Sequence, residues 1–153
     1  MAFSSMFFCQ KGFTMKVTSI ENCAGSDGVI SVSDNAAITM QDDCSLQVEG
    51  CLKMKAFTTA AGTVKVSKNG TQMFQKSINL CRKGSKLPFL SEFLQGDVCP
   101  QSENERCVDP GKNISLERFK KMMFLLKGSM AVELNLDHDT GKSCVKIEFE
   151  ITK

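Results

Sequence analysis

The sequence predicts an all-β fold, a sandwich of two antiparallel sheets, and three observations carry that expectation. From Val17 onward, short apolar/polar alternations recur, turn signals separate them, and each keeps one polar face. A strand with one wet face belongs in an antiparallel sheet buried on one side rather than in a helix-covered parallel sheet.

The first clear alternation is LQVEGCLKMKAF, in which Leu46, Val48, Leu52, Met54 and Ala56 share one face and Gln47, Glu49, Lys53 and Lys55 the other. A hairpin follows in GTVKVSKNGTQMFQKSINL. Asn69-Gly70 can take the positive φ angles of a type I′ turn between Val64/Val66 and Phe74/Ile78/Leu80. Near the end, Met130, Val132, Leu134 and Leu136 alternate with polar neighbours. After HDTGK, Val145, Ile147, Phe149 and Ile151 do the same, so these two segments make a second hairpin.

Two segments break the period. KLPFLSEFLQG groups Leu87, Phe89, Leu90, Phe93 and Leu94 too densely for a half-exposed strand. SLERFKKMMFLLKG spaces Leu116, Phe119, Met122, Met123 and Leu126 as a helix would, with Ser115 as cap and Gly128 as stop. Each is expected to form a short helix or an apolar loop at the sandwich rim.

At 153 residues the chain suits one core. Residues 17–153 are read as a single domain and 1–16 as a leader remnant or an extension, since the apolar patch from Met1 to Cys9 ends at Gln10-Lys11-Gly12 without a small-x-small cleavage site. A net charge of +2 gives no basic field for nucleic acid. No apolar run approaches the ~20 residues of a membrane-spanning helix, so membrane contact is expected to be transient and peripheral. The 8 cysteines lack paired C-x-x-C knuckles and have one histidine for company, so no metal site is expected. A disulfide framework formed in an oxidising compartment is the economical reading, with a secreted or lysosomal destination.

The order of Cys23, Asp27, Gly28, Val29 and Ile30, then Cys99-Pro100, Lys112 and Leu116, and the closing GKSCVKIEFEI resembles the ML lipid-recognition family, that of the Niemann-Pick type C sterol carrier, the ganglioside activator and related mite allergens. The resemblance runs from about Val17 to Lys153. It implies an immunoglobulin-like sandwich with an apolar cavity between its sheets, and the disulfides Cys23–Cys144, Cys44–Cys51 and Cys99–Cys107. Cys9 and Cys81 are left over; they can pair with each other, or Cys81 can enter the 99/107 cluster while Cys9 stays free or is removed.

The function expected is non-catalytic binding and transport of a lipid such as a sterol, fatty acid or glycolipid. Candidate wall residues are the inward phases of the strands: Val48, Leu52 and Met54; Val64, Val66, Phe74 and Ile78; Val132 and Leu134; Val145, Ile147 and Phe149. Phe89, Phe93, Phe119 and Met122 would stand at the mouth. The 9 Met and 11 Phe suit an adaptable apolar wall, although ordinary core uses the same residues. Arg118, Lys120, Lys121 and Lys127 could touch anionic headgroups, or form a solvated face. A second reading is a secreted protein-interaction module of the innate-immune co-receptor type, contacting a receptor protein on the same scaffold.

Asn69 and Asn113 begin N-glycosylation sequons, and Asn69 also suits a tight turn. His138, between Asp137 and Asp139, is expected to be a solvated turn residue rather than a base, because no nucleophile motif accompanies it. No catalytic residue and no cofactor is expected.

Overall fold

The computed structural model describes residues 14–41, 45–82, 98–108, 113–115 and 127–152. In chain order the strands are β1 (Thr14–Asn22), β2 (Ile30–Val32), β3 (Ala37–Met40), β4 (Ser45–Glu49), β5 (Cys51–Met54), β6 (Ala61–Lys68), β7 (Thr71–Asn79), β8 (Asn104–Cys107), β9 (Asn113–Ser115), β10 (Gly128–His138) and β11 (Gly141–Thr152). A single 3-10 turn, Gly25–Asp27, is the one helical element among the described residues.

The strands form two antiparallel sheets. An eight-stranded sheet runs β7-β6-β10-β11-β1-β3-β4-β9, and a three-stranded sheet runs β2-β5-β8. Both hairpins take the expected places. Asn69 and Gly70 sit at φ 50° and 84° in the β6–β7 turn, where the two positive angles match the right-handed twist of the strands they join. Asp139 and Thr140 form the turn between β10 and β11, which pair from Gly128↔Ile151 to His138↔Gly141.

The alternation across LQVEGCLKMKAF turns out to be two strands in different sheets. Gly50, at φ +116°, breaks it, and a Cβ there would lie 2.8 Å from Ala36 Cα. Leu46 and Val48 therefore face inward from the large sheet, while Leu52 and Met54 face inward from the small one. The period of two survives because both sheets turn their apolar faces to one interior. Ala56, expected on that face, is exposed, and Phe57 is buried in its stead.

Three disulfides join described residues. Cys23–Cys144 is as expected, continuing the β1–β11 ladder beyond Asn22↔Val145. The other two pairings correct the expectation. Cys51 bonds Cys107 rather than Cys44, because these two residues stand directly opposite on β5 and β8. Cys99 bonds Cys81 rather than Cys107. Cys9 and Cys44 lie outside the described residues, as do Phe89, Phe93, Phe119 and Met122 and the expected rim helices. Ser115, expected as a helix cap, ends β9 instead, pairing with Ser45.

The Cys51–Cys107 and Cys23–Cys144 loops span 56 and 121 residues, so closing them removes much freedom from the unfolded chain, about 4–5 kcal/mol each in the chain-entropy view. Non-reducing peptide mapping should recover Cys23–Cys144, Cys51–Cys107 and Cys81–Cys99 linked peptides. A Cys44–Cys51 or Cys99–Cys107 peptide would contradict this framework. Replacing Cys51 and Cys107 together by serine should lower unfolding free energy by several kcal/mol in a denaturant titration.

Candidate functional site

The ladder registers lay out the inner face of the large sheet as rows, since directly opposed residues project to the same side. One row is Ile78, Gly62, Leu136 and Ser143; the next is Lys76, Val64, Leu134, Val145 and Asn22. Beyond it come Phe74, Val66, Val132, Ile147 and Ile20, then Lys68, Met130, Phe149 and Val17.

Burial along these rows is uneven in a particular way. On β10, Met130 and Leu136 are 3% and 2% exposed, yet Val132 and Leu134 between them are only half-buried. On β11, Ser143 and Ile151 are buried while Val145, Ile147 and Phe149 are half-buried. β10 and β11 are central strands, where a filled sandwich buries its inward side chains most completely. Here the middle of the inner face keeps apolar surface that is only partly covered.

The remaining candidate wall residues separate into three environments. Val66 and Val48 are buried, and Val64 and Ile78 are half-buried. Leu52 and Met54 belong to a dense cluster with Val29, Ile30, Phe57, Ala60, Leu80 and Leu136, and Ile78 and Leu134 pack against its edge. Phe74 is 52% exposed on the edge strand β7. Sequence reasoning missed Val17 and Ile20, because a register shift between Val17 and Ser19 interrupts the period of two. It missed Met73 for the same reason: β7 bulges between Gln72 and Phe74, which oppose Ser67 and Val66.

The dense cluster marks one closed end, and polar contacts reinforce it. His138 is 9% exposed, which corrects the expectation of a solvated turn histidine. Its Nδ1 lies 2.9 Å from the Thr59 carbonyl, which can only accept, so Nδ1 carries the proton. Its Nε2 then accepts from Ser143 Oγ at 2.7 Å, and that oxygen accepts the Ile30 N–H at 2.8 Å. Phe57 tilts against the ring at 4.5 Å between centroids. The Asp139 carboxylate accepts from Thr58 N and Thr58 Oγ1 at 2.8 and 2.9 Å and from Thr59 N at 3.1 Å. Thr140 Oγ1 donates to the Ala56 carbonyl at 2.8 Å.

A serine against a histidine invites a catalytic reading, and the geometry argues against it. Ser143 is 3% exposed, its oxygen is already committed to Ile30, and a backbone carbonyl stands where a triad needs an acid. The group acts as a clasp, tying the β10–β11 turn to the chain after β5 and to β2. Burial holds the His138 ring below the usual imidazole pKa, outweighing the upward pull of the Thr59 bond and of Asp139 and Asp137. The Thr58 and Thr59 N–H groups bring Asp139 down to about 2.

Asn69 is exposed in its turn, with Oδ1 accepting the Ser129 N–H at 3.0 Å; Asn113 is exposed on the edge strand β9. Among the described residues no helix is long and apolar enough to cross a membrane.

No protein-family model matches the chain. It is 29% identical over 151 residues to the sporozoite-associated mosquito saliva protein 1 of Anopheles gambiae, a match covering 94% of this chain and 83% of that protein. That saliva relative and the three disulfides together point to an extracellular protein, the first half of the secreted-or-lysosomal expectation.

The clasp has a pH signature with a definite sign. Because His138 binds its proton less readily folded than unfolded, its contribution to stability is complete above about pH 6.5 and is lost as pH falls through the lowered folded value. Asp139 stays ionised far below that window, so it does not contribute there. Unfolding free energy should fall between pH 7.5 and 5.5. In His138→Gln it should be lower at pH 7.5 by about 1–3 kcal/mol, the cost of orphaning buried partners, and nearly flat over the same range. An equal slope in both proteins would rule out His138 as the sensor.

Proposed function

We propose that the protein is a secreted, non-catalytic lipid carrier of the ML type, holding an apolar ligand against the middle of the large sheet's inner face. The observation that supports this most directly is the burial profile of β10 and β11, buried at both ends and half-buried between. An apolar wall of this kind, made by Val132, Leu134, Val145, Ile147 and Phe149, is stabilised by removing a ligand's hydrocarbon from water at about 0.8 kcal/mol per methylene. Ten such groups give about 8 kcal/mol, near-micromolar affinity before association costs are subtracted.

An apolar wall needs no directional chemistry along its length, and the inward positions of β10 and β11 between Met130 and Leu136 and between Ser143 and Ile151 carry no charged side chain. The polar groups of the closed end are spent on one another, and the acidic and basic residues of the central strands lie on the opposite face. There Glu133 stands between Lys65 and Lys146, and Asn135 Nδ2 donates to Glu133 Oε2 at 2.7 Å.

A protein-interaction role on the same scaffold is favoured by one observation, the name of the saliva relative, which speaks of association with sporozoites. A carrier and an adhesive surface differ in what fills the interior. Native mass spectrometry of the purified protein followed by organic extraction should show a co-purifying lipid. Ile147→Trp should then distinguish wall from core. In a ligand-binding space the indole takes the lipid's place, so bound lipid is lost while the melting temperature holds. In a filled core the same change overpacks and costs about 1–3 kcal/mol of stability. That second outcome, with no lipid extracted from wild type, would move the assignment to the interaction module.

A further inference from the structure

The inward phases of both sheets carry cations and no carboxylate. Among the described strand residues the charged side chains in those phases are Lys68 and Lys76, opposite Met130 through β6 and opposite Val64 on β7, and Arg106, opposite Leu52 on β8. The outer phases, by contrast, mix both signs: Lys16 stands opposite Glu150, Glu21 opposite Lys146, and Lys53 opposite Glu105. Lys76 is exposed and Arg106 half-buried, so both can keep their heads at the water boundary while their stems line the interior.

Topology brings these two onto one flank. β7 ends the large sheet and β8 ends the small one. The Cys81–Cys99 disulfide joins the chain just after β7 to the chain just before β8. On the other side of the small sheet, β2 is fastened to the large sheet instead: Asn22 exchanges two 2.8 Å hydrogen bonds with Val32, and Val29 N–H donates to the Lys142 carbonyl at 2.9 Å. Among the described residues the sandwich is thus laced shut along β2 and has β7 and β8 as its terminal strands on the other flank. On each terminal strand the cation sits one inward position beyond the closed end: Lys76 two residues from Ile78, and Arg106 two residues from Asn104, itself opposite the buried Met54. Phe74, 52% exposed, and the bulged Met73, 48% exposed, continue the β7 edge with apolar surface.

Resting on the carrier reading above, we propose that the ligand is an anionic amphiphile. Its acyl chain lies along Val66, Val132 and Ile147, and its headgroup is held at the β7–β8 flank by Lys76 and Arg106. A carboxylate or a phosphate headgroup shares the needed chemistry, two or more acceptor oxygens for the ammonium and the forked guanidinium. A neutral sterol or alcohol would leave both cations without a partner and gain only the tail.

The test compares 11-(dansylamino)undecanoic acid with its methyl ester, and dodecyl phosphate as competitor, on the full-length protein. Wild type should bind the acid more tightly than the ester, with a preference that shrinks as salt rises. Lys76→Gln and Arg106→Gln should each weaken the acid roughly three- to tenfold, the scale of a partly exposed charge pair, and leave the ester unchanged. Dodecyl phosphate displacing the acid more weakly than oleate identifies a carboxylate site, and more strongly a phosphate site; either result supports the proposal. Equal binding of acid and ester by wild type, or equal losses for both in the variants, overturns the headgroup assignment and leaves the carrier reading standing. If neither probe binds, both fall. An inward lysine on an edge strand also discourages edge-to-edge pairing. A Lys76→Gln protein that self-associates yet keeps the acid preference would assign Lys76 that role and overturn the one proposed.

Discussion

The structure depends on how its two sheets are held together. The largest joining cluster lies at one end, where Leu52, Met54 and Phe57 from the small-sheet side meet Leu80 and Leu136 from the large. His138 and Ser143 stitch the polar edge of that cluster through Thr59 and Ile30. A buried imidazole that both donates and accepts is a demanding component, since either bond lost leaves a partner unsatisfied in a dry place. Its benefit is a fixed anchor for one end of β10 and β11, whose inner faces are half-buried in the middle and buried again at Met130 and Ile151.

Leaving Val132, Ile147 and Phe149 half-covered forgoes stabilisation of about 25 cal/mol for each Å² left uncovered. The covalent framework offsets that cost without adding cover to these residues. Cys23–Cys144 stiffens the large sheet and Cys51–Cys107 the small one, each between adjacent strands. Only Cys81–Cys99, among the disulfides of the described residues, runs from one sheet toward the other, and it does so beside the closed end.

Much of the fold was legible because its signals are local. Asn69-Gly70 specifies a turn through backbone sterics alone, and the alternations in 130–136 and 145–151 specify a hairpin whatever lies around them. What the sequence concealed depends on a third element. LQVEGCLKMKAF keeps one period across two sheets, so only the space beside Gly50, filled by Ala36, reveals the crossing. Of the three cysteine pairs that the family resemblance implies, two differ in the structure: the ladder sets Cys107 opposite Cys51, and Cys99 bonds Cys81. His138 reads as a solvated turn residue because it stands beside the HDTGK turn, whereas β10 extends to it and alternation turns the ring inward and Asp137 outward. For the wall, periodicity names the inward residues, while their degree of cover is a property of the opposing sheet, which no single strand encodes.

This arrangement also separates two tasks that one sandwich usually performs together. Rigidity resides within each sheet, in ladders and in cross-links between neighbours, and one end of the sandwich is fixed besides by a cluster and a clasp. On the carrier reading proposed above, ligands of different girth would be met by the half-buried apolar side chains in the middle of β10 and β11, with the ladders unchanged. Cys51–Cys107 joins neighbouring strands of the small sheet and so leaves that wall without a cross-link of its own.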